Sequence, residues 1–573
     1  MLEEYFQRKM GPTSRITQNE GLDDIELDIP ARIPLAAIRR MLNLPWMNEV
    51  VALITKGETK LQETPKEAPH VHVERTLGEI VNSWPGDPKA PNIFRRIGRR
   101  ERVRAYCGLF GVPKKNKKLR LVFDARPANA KLQSLTGFRL FNLDELQNAL
   151  TDMLGRQECF VHTWDFRHFF YQMPLPKELA AWFAVKVGRD ILLPNVWPMG
   201  YHNSPCVAQV LAWATVLWKE KGEDHLGVSV PEEEMPRFIE IKDAQGNVTG
   251  YLFVLLDNLL LIGCDETQFD LWVKRIERNL QSMNIKVKEG TESACRRYRR
   301  TQPSDQQPIT FAGLEFSPLG WRSSSGDRPL NIEDDLAHVT GTLLWELRVR
   351  RIPLFSCPVF YRLLCRTTEE HGDLSEGEWA ALRELAIIRS ERTWTPLSPV
   401  TQTNKRKRLF ATDATPRSIS WVEYDTAGNV IDIQATLVDE DEVTNNELLA
   451  IVKIAQLCKE PTKIILASDS MISCIVIGKQ HARSRVLLGY LHQIYLSEAE
   501  IEAHWLSTKR NVADTPSRLV IQRMCGRCLG QFDVSQRKHG CKHPQWLEPE
   551  LHTESTRQAE TWKVLKKALG KCK

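Results

Sequence analysis

Short apolar runs separated by turn residues predict a mixed α/β architecture from residue 106 onward. Helical spacing of apolar positions predicts an amphipathic helix at 35–56 and a helical region at 332–394. A third helix is predicted by NNELLAIVKIAQLCK, which begins at Asn445. The polar stretch 219–250 interrupts this pattern, either as an insertion or as a long hairpin with its turn at 244–247.

The size and composition of the chain fit a folded protein of several domains. Its 573 residues are too many for one hydrophobic core, and hydrophobic residues make up 42% of them. The longest apolar stretch, 251–263, is interrupted by Asp257 and Asn258, so no membrane segment is expected. The first ten residues lack the apolar core of a secretory signal. Together with scattered cysteines, this favours an intracellular protein, cytoplasmic or nuclear.

Basic residues are clustered although the net charge is only +6. The clusters lie at 95–104, 114–120, 296–300, 348–351 and 405–408. Repeated clusters of this kind favour contacts with the phosphates of a nucleic acid. Any single cluster fits a solvated surface equally well.

Two aspartates follow or interrupt strand-like runs in the first half of the chain. Asp165 follows FVHTW, and Asp257 with Asn258 separates YLFVLL from LLLIG as a predicted hairpin turn. Carboxylates that converge from separate strands can hold the two metal ions of nucleotidyl transfer. Taken singly, Asp165 fits a strand-end cap and the Asp-Asn pair fits an ordinary turn.

The motifs around these aspartates, across 109–322, resemble the reverse transcriptases of retroelements. VPKKNKKLRLVFDARPANA precedes Asp165, and WPMGYHNSPCVAQ lies between the two acids. The resemblance implies roles for six residues in nucleotide binding: Lys114 or Lys115 and Arg120 for the triphosphate, Phe170 for exclusion of a 2′-hydroxyl, and Met199 and Gly200 beneath the template base and nucleotide sugar. It also implies a primer-holding strand pair at 309–321, where an ordinary hairpin is the alternative.

Asn258 departs from the pattern of the family, which usually has two adjacent aspartates at this turn. An amide can coordinate a metal weakly through its oxygen, but it supplies no charge. The catalytic set implied for the polymerase is therefore Asp165 and Asp257 with Asn258 beside them, and lowered or absent polymerase activity stays an open alternative.

Four acids occur in order in the second half of the chain. Asp413 lies in LFATDAT, Glu447 opens a helix, Asp469 follows IILAS, and Asp514 lies in NVADTPSR. Singly, Glu447 fits a first-turn helix residue and Asp469 fits a helix cap.

The order of these acids across 405–518 resembles retroelement RNase H domains, in whose closing segment Asn511, Ser517 and Arg518 also recur. The resemblance implies that the four carboxylates hold two Mg²⁺ or Mn²⁺ ions, which activate water to cut RNA in RNA:DNA hybrids.

A cluster of cysteines and histidines near the C-terminus is a candidate zinc site. Its CxxC and CxH spacing is formed by Cys525, Cys528, Cys541 and His543. Reduced surface thiols are the alternative.

The two resemblances together imply an α/β and α+β multidomain chain, in which a right-hand polymerase of fingers, palm and thumb precedes an RNase H-like mixed-sheet domain. TPLSPVTQTNKRKR, from 395, predicts the linker between them. The expected divisions are 1–95 without an assigned role, 96–325 for fingers and palm, 326–394 for a helical thumb or connection, 395–404 for the linker, 405–520 for the RNase H-like domain, and 521–573 for the tail with the candidate zinc site.

The expected partners follow from the same resemblance: an RNA template, a DNA primer, RNA:DNA hybrid and deoxynucleoside triphosphates, with the oligomeric state open. The ADTPSR ending of the nuclease region resembles the tyrosine-recombinase retroelements of the DIRS-like or VIPER-like group. Three functions remain open: an active replicase, a nuclease with a degenerate polymerase, and a non-catalytic nucleic-acid-binding subunit.

Overall fold

The computed structural model forms two compact units. Unit 1 comprises 1–324 with 394–399, and unit 2 comprises 325–393 with 400–573. The residues that the structure describes are 32–63, 93–113, 119–288, 295–301, 307–324, 330–332, 336–352, 375–397, 406–458, 460, 462–480, 482, 484–497, 499–522 and 555–571. None of the helices described there is long and apolar enough to cross a membrane.

Unit 1 combines short strands with helices. In chain order its helices are α1 (Leu35–Met41), α2 (Asn48–Lys56), α3 (Arg126–Asn129), α4 (Leu143–Leu154), α5 (Phe169–Gln172), α6 (Lys177–Ala180), α7 (Ser204–Leu217) and α8 (Glu266–Ser282). Its strands are β1 (Phe94–Arg96), β2 (Gly108–Pro113), β3 (Leu119–Asp124), β4 (Glu158–Asp165), β5 (Val185–Val187), β6 (Asp190–Pro194), β7 (Ile239–Lys242), β8 (Val248–Leu255), β9 (Asn258–Gly263), β10 (Cys295–Arg299), β11 (Ile309–Phe311), β12 (Leu314–Ser317) and β13 (Gly320–Ser323).

The central sheet of unit 1 has the strand order β10-β4-β9-β8-β7 and is antiparallel throughout. Helix α7 is apolar on nearly all sides and is buried against this sheet. A capping box at Asn142 and Glu145 starts α4, and Asp265 caps α8. The sheet brings the end of β4 beside the turn between β8 and β9.

Three local predictions in unit 1 can be compared with the structure. The helix predicted at 35–56 is interrupted, because Pro45 starts a 3₁₀ turn, Pro45–Met47, and a proline cannot donate a helical hydrogen bond. The predicted turn near 244–247 is confirmed, since the Asp243 carboxylate accepts the backbone N–H groups of Gln245 and Asn247. The predicted strand pair at 309–321 is a three-stranded sheet, β11-β12-β13.

The described residues of unit 2 form one mixed sheet and the helices that pack on it. Its helices are α9 (Leu336–Val349), α10 (Glu376–Ser390), α11 (Val443–Leu457), α12 (Met471–Lys479), α13 (Arg485–Leu496), α14 (Asp514–Gln522) and α15 (Ser555–Lys571). Its strands are β14 (Arg406–Thr415), β15 (Ser418–Tyr424), β16 (Val430–Leu437), β17 (Thr462–Ser468) and β18 (Glu500–Trp505).

The strand order in unit 2 is β16-β15-β14-β17-β18. β14, β15 and β16 form an antiparallel meander, whereas β17 and β18 run parallel to β14. Residues of α9, α10, α11 and α13 share one apolar cluster with one face of the sheet, and α15 contributes to a cluster on the other face. Because β14 and β17 are parallel neighbours, their carboxyl ends meet at one edge.

Candidate metal centre and a second carboxylate pair

Three acids of unit 2 converge at the carboxyl ends of β14 and β17. Asp413 lies on β14, Asp469 directly follows β17, and Glu447 lies on α11, which packs against β14. The register pairs Thr412 with Ser468, so Asp469, one residue beyond β17, follows the partner of the residue that precedes Asp413 on β14. One oxygen from each of the three carboxylates lies within 4.8 Å of the others.

Burial makes this cluster electrostatically unfavourable in the absence of a cation. Asp413 is 4% exposed and Glu447 is 5% exposed. Burial, and then the charges of Asp469 and Asp514, raise the pKa of Asp413 to about 7. Burial, followed by the charges of Asp413 and Asp469, raises the pKa of Glu447 to about 9. Repulsion among the carboxylates therefore favours their protonation, or their neutralisation by a metal.

The oxygens of Glu447 fit a cation ligand. Oε1 accepts the backbone N–H of Ala414 at 3.1 Å, whereas Oε2 is buried and has no hydrogen-bond partner among the described residues. A buried oxygen without a donor is rare and costly unless something else satisfies it. Since hard divalent cations such as Mg²⁺ and Mn²⁺ prefer carboxylate oxygens, this donor set fits them.

Asp514, the fourth predicted acid, lies beside this group at the start of α14. Its carboxylate is held by two guanidinium groups: Nε of Arg518 lies 2.8 Å from Oδ1, and Nη1 of Arg557 lies 3.2 Å from Oδ2. Ser517 joins Asp514 to the cluster, because its hydroxyl donates to the Asp413 carboxylate and lies 2.8 Å from the Asp514 backbone carbonyl oxygen. The structure thus brings three of the four acids together and places the fourth next to them.

Two further side chains orient Asp469. Nδ2 of Asn511 donates to the Thr412 carbonyl at 2.8 Å and to Oδ1 of Asp469 at 3.2 Å. The indole N–H of Trp505 donates to the Asp469 carbonyl at 3.1 Å. The resemblance to RNase H domains pointed to Asn511. It did not point to Trp505, whose contact depends on the register of β18 against β17.

In unit 1, β4 and β9 bring Asp165 beside Asp257. Asp165 pairs with Asn258 in the β4–β9 register, and the N–H of Phe166 donates to the Asp257 carbonyl at 2.7 Å. The turn consists of Leu256 and Asp257, and Asn258 is the first residue of β9. The predicted turn was therefore wrong by one residue, although Asp257 does lie in it.

Hydrogen bonds from a buried glutamine side chain hold the strained backbone of this turn. Leu256 has φ 54°, a left-handed conformation that leucine rarely adopts. Gln209 is fully buried on α7; its Nε2 donates to the Val254 carbonyl at 2.9 Å and its Oε1 accepts the Leu256 N–H at 2.8 Å. Sequence reasoning missed this role, although an amide within an otherwise apolar helix is a usable signal.

The Asp165–Asp257 pair carries less negative charge than the cluster in unit 2. Nζ of Lys288 lies 2.6 Å from Oδ2 of Asp165, and Oδ1 of Asp165 is buried without a partner among the described residues. Burial, and then the Asp165 charge, raise the pKa of Asp257. Nδ2 of Asn258 lies 3.2 Å from Oδ1 of Asp257. Oδ1 of Asp165, without a partner among the described residues, is thus available to a cation, beside the Lys288 ammonium group that competes with it.

The other nucleotide-binding residues predicted in unit 1 that the structure describes lie on β3, on α5 and in the turn that precedes α7. Arg120 is on β3, and its charge acts on Asp257. The N–H of Phe123 donates to the Met199 carbonyl at 2.7 Å, and a Cβ on Gly200 would lie 2.0 Å from the Phe123 carbonyl oxygen, so this position requires glycine. Phe170 is half-buried on α5 and packs against the core.

The remaining predicted site residues lie outside the described part of the chain. They are Lys114, Lys115, Cys525, Cys528, Cys541 and His543. Their roles stay predictions.

Comparisons with known proteins give a distant structural likeness. No family model matches the chain, and no curated protein matches it. Among solved structures it is similar to the foamy viral protease-reverse transcriptase dRH in complex with double-stranded DNA, with 13% identity, a TM-score of 0.41, and coverage of 84% of this chain and 83% of that one. The foamy viral protease-reverse transcriptase in complex with RNA/DNA hybrid has 14% identity, a TM-score of 0.41, and coverage of 84% and 64%. The same protein in complex with double-stranded DNA has 14% identity, a TM-score of 0.40, and coverage of 84% and 99%. A likeness at this level identifies neither a family nor an activity.

Proposed function

We propose that unit 2 is a divalent-metal-dependent nuclease of the RNase H type, which hydrolyses the RNA strand of RNA:DNA hybrids. The observation that carries the proposal is the convergence of one carboxylate oxygen each from Asp413, Glu447 and Asp469 within 4.8 Å, together with the buried Glu447 Oε2, which has no hydrogen-bond partner among the described residues. The antiparallel meander followed by two parallel strands, with acids at the ends of β14 and β17, supports an RNase H-like arrangement.

In this proposal the acids of the cluster bind the metal, and two neighbouring polar side chains orient the acids. Asp413, Glu447 and Asp469 would hold Mg²⁺ or Mn²⁺, which supplies an activated water and neutralises charge on the leaving 3′ oxygen. Ser517 and Asn511 hold the Asp413 and Asp469 carboxylates in their orientations. Such preorganisation lowers the reorganisation needed at the moment of reaction.

Cleavage of a labelled hybrid by the full chain tests this proposal. In Asp469→Asn, cleavage of the RNA strand with Mg²⁺ should fall by at least about 100-fold, the upper end of the loss seen for outer-shell partners of a metal. Asp439→Asn, which changes an exposed aspartate of the same unit, should cleave at the wild-type rate. Equal rates in wild type and Asp469→Asn would reject the cluster as the active site.

A second activity, RNA-directed DNA synthesis in unit 1, is supported by the adjacency of Asp165 and Asp257 and by Oδ1 of Asp165, which has no partner in the described part of the chain. In this proposal, Arg120 with Lys114 or Lys115 binds the triphosphate of the incoming deoxynucleotide, and Phe170 excludes a 2′-hydroxyl. A chain with both activities would copy the RNA of a retroelement into DNA, and the ADTPSR motif favours the DIRS-like or VIPER-like group.

Primer extension tests the polymerase separately from the nuclease. With oligo(dT) on poly(rA), dTTP and Mg²⁺ or Mn²⁺, incorporation should be lost in Asp165→Asn and kept in Asp270→Asn, which alters an exposed acid of unit 1. Asn258→Asp should raise the rate about tenfold, equivalent to about 1.4 kcal/mol, because it adds a charge beside the cation site. Incorporation that is absent with either metal, or that persists in Asp165→Asn, would refute polymerisation at this pair.

A further inference from the structure

Helix α15 lies far along the chain from Asp413, Glu447 and Asp469, yet it packs against the sheet of unit 2 through specific contacts. Its Leu565 and Ala568 are buried in the apolar cluster on one face of the sheet. Trp562 stacks on Tyr424, with ring centroids 6.0 Å apart and planes at 16°. Gly428 leaves room for this ring, because a Cβ there would lie 2.6 Å from the Trp562 Cε2 atom. The position of α15 is therefore set by specific packing.

One buried hydroxyl on α15 is bonded to the segment that leads to Asp514. Thr561 is fully buried; its Oγ1 accepts the Val512 N–H at 3.1 Å and donates to the Arg510 carbonyl at 2.7 Å. Both backbone groups lie within four residues of Asp514. A buried hydroxyl that makes two such bonds fixes the backbone on either side of Asn511.

Arg557, a second side chain of α15, contacts the carboxylate of Asp514. Nη1 of Arg557 lies 3.2 Å from Oδ2 of Asp514 and 3.1 Å from Oγ1 of Thr515. Arg518, on α14, binds the other carboxylate oxygen. Arginines on two helices therefore bind the Asp514 carboxylate, and charge-assisted hydrogen bonds of this kind restrict its orientation strongly.

We propose that α15 is a working part of the nuclease site, in which Thr561 and Arg557 are positioning residues that hold Asp514 against the Asp413–Glu447–Asp469 cluster. The proposal rests on the nuclease function proposed for unit 2. Asp514 acts through its charge on Asp413 and through Ser517, so a small displacement of residues 510–514 alters the cluster. Misplacement by about 1 Å can reduce a rate about 100-fold.

Matched substitutions at Thr561 separate positioning from packing. Thr561→Val keeps the size of the side chain and removes both hydrogen bonds, whereas Thr561→Ser keeps the hydroxyl. Lys567→Ala, on the exposed side of α15, is the control. Cleavage of the hybrid by the full chain should be measured at saturating Mg²⁺ and at one common temperature, about 20 °C below the lowest Tm of the set, so that neither unfolding nor a temperature difference contributes to the comparison of kcat.

The expected result is a split between kcat and KM. Thr561→Val should lower kcat about 10- to 100-fold and leave KM for the hybrid within about twofold, whereas Thr561→Ser should stay near wild type. Arg557→Ala should lower kcat in the same direction, with partial rescue in Arg557→Lys. Wild-type kcat in Thr561→Val, with only its Tm lowered, would reduce α15 to a packing element and overturn the proposal.

A readout without turnover keeps this proposal distinct from the nuclease proposal. Mn²⁺ should raise the Tm of the wild type and of Thr561→Ser, and should raise that of Thr561→Val by a smaller amount. If the wild type binds Mn²⁺ but cleaves no hybrid, the nuclease proposal fails, while the difference between Thr561→Val and Thr561→Ser still decides the role of α15. An equal Mn²⁺-induced rise in Tm in Thr561→Val and Thr561→Ser would overturn the proposal that α15 positions Asp514.

Discussion

At Glu447, burial and ionisation oppose each other. The carboxyl lies among other acids, and one of its oxygens has no donor among the described residues. A residue chosen for stability alone would be neutral here, because a buried uncompensated charge destabilises the folded state. The conflict is resolved if a divalent cation occupies the site, as in many functional sites that trade stability for chemistry.

The pH dependence of stability follows from this conflict. An acid whose pKa is raised in the folded state binds its proton more tightly there than in the unfolded chain. For the metal-free protein, the Glu447 contribution is therefore fully present below its ordinary pKa of about 4.5 and is lost as the pH rises through about 9. The Asp413 contribution is lost as the pH rises through about 7.

Glu447→Gln should therefore stabilise the metal-free protein while it removes the response to metal. At pH 8 in EDTA its Tm should exceed that of the wild type by about 3 °C, the shift that about 1 kcal/mol produces in a unit of this size. Between pH 5 and 9 its Tm should also fall less steeply. Thermal unfolding followed by circular dichroism would measure both effects, and Mg²⁺ should raise the Tm of the wild type only.

The control for this substitution is Glu460→Gln, which alters an exposed glutamate of the same unit. It should leave both the pH profile and the Mg²⁺ response unchanged. A metal-free Glu447→Gln protein that is less stable than wild type at pH 8 would contradict the account of Glu447 as a destabilising buried acid.

Residue types in a motif were predictable from the sequence, but their partners were not. Asn258 was recognised as a missing charge, since the position follows Asp257 directly. The Lys288–Asp165 ion pair depends instead on how residues 286–288 pair with the segment after β4. Contacts across 123 residues of sequence follow from tertiary folding, which local patterns do not encode.

At the scale of elements, patterns with a local physical cause predicted the structure best. The turn at 244–247 was recognisable because Asp243 binds the backbone of its own turn. Prediction was poorer where the outcome depended on neighbouring elements. The third strand beside β11 and β12 was missed for this reason. The division of the predicted 35–56 helix at Pro45 has instead a local cause that was overlooked, because a proline cannot donate a helical hydrogen bond.

Helix α15 was also missed, although its sequence carries a helical signal. Thr561, Leu565 and Ala568 follow one another at spacings of four and three, and they form its buried side. The sequence analysis assigned only a candidate zinc site to the tail that contains α15. The connection of α15 to Asp514 could not be foreseen, because it depends on where the helix packs.

At the scale of the whole molecule, the two units carry unequal carboxylate sites. Among the residues that the structure describes, the site in unit 2 has three converging acids and a fourth beside them, whereas that in unit 1 has two acids, an amide and a lysine. Electrostatic affinity for a divalent cation rises with the number of uncompensated carboxylates. Unit 2 is therefore expected to bind Mn²⁺ more tightly than unit 1.

A titration of the full metal-free chain with Mn²⁺, followed by electron paramagnetic resonance of the free ion, tests the metal centre most directly. The tightest-binding Mn²⁺ should be retained in Asp165→Asn and lost in Asp469→Asn, with an affinity loss of at least about tenfold, since even outer-shell substitutions reduce metal affinity by that factor. Unchanged tight binding in Asp469→Asn would contradict a metal centre at Asp413, Glu447 and Asp469.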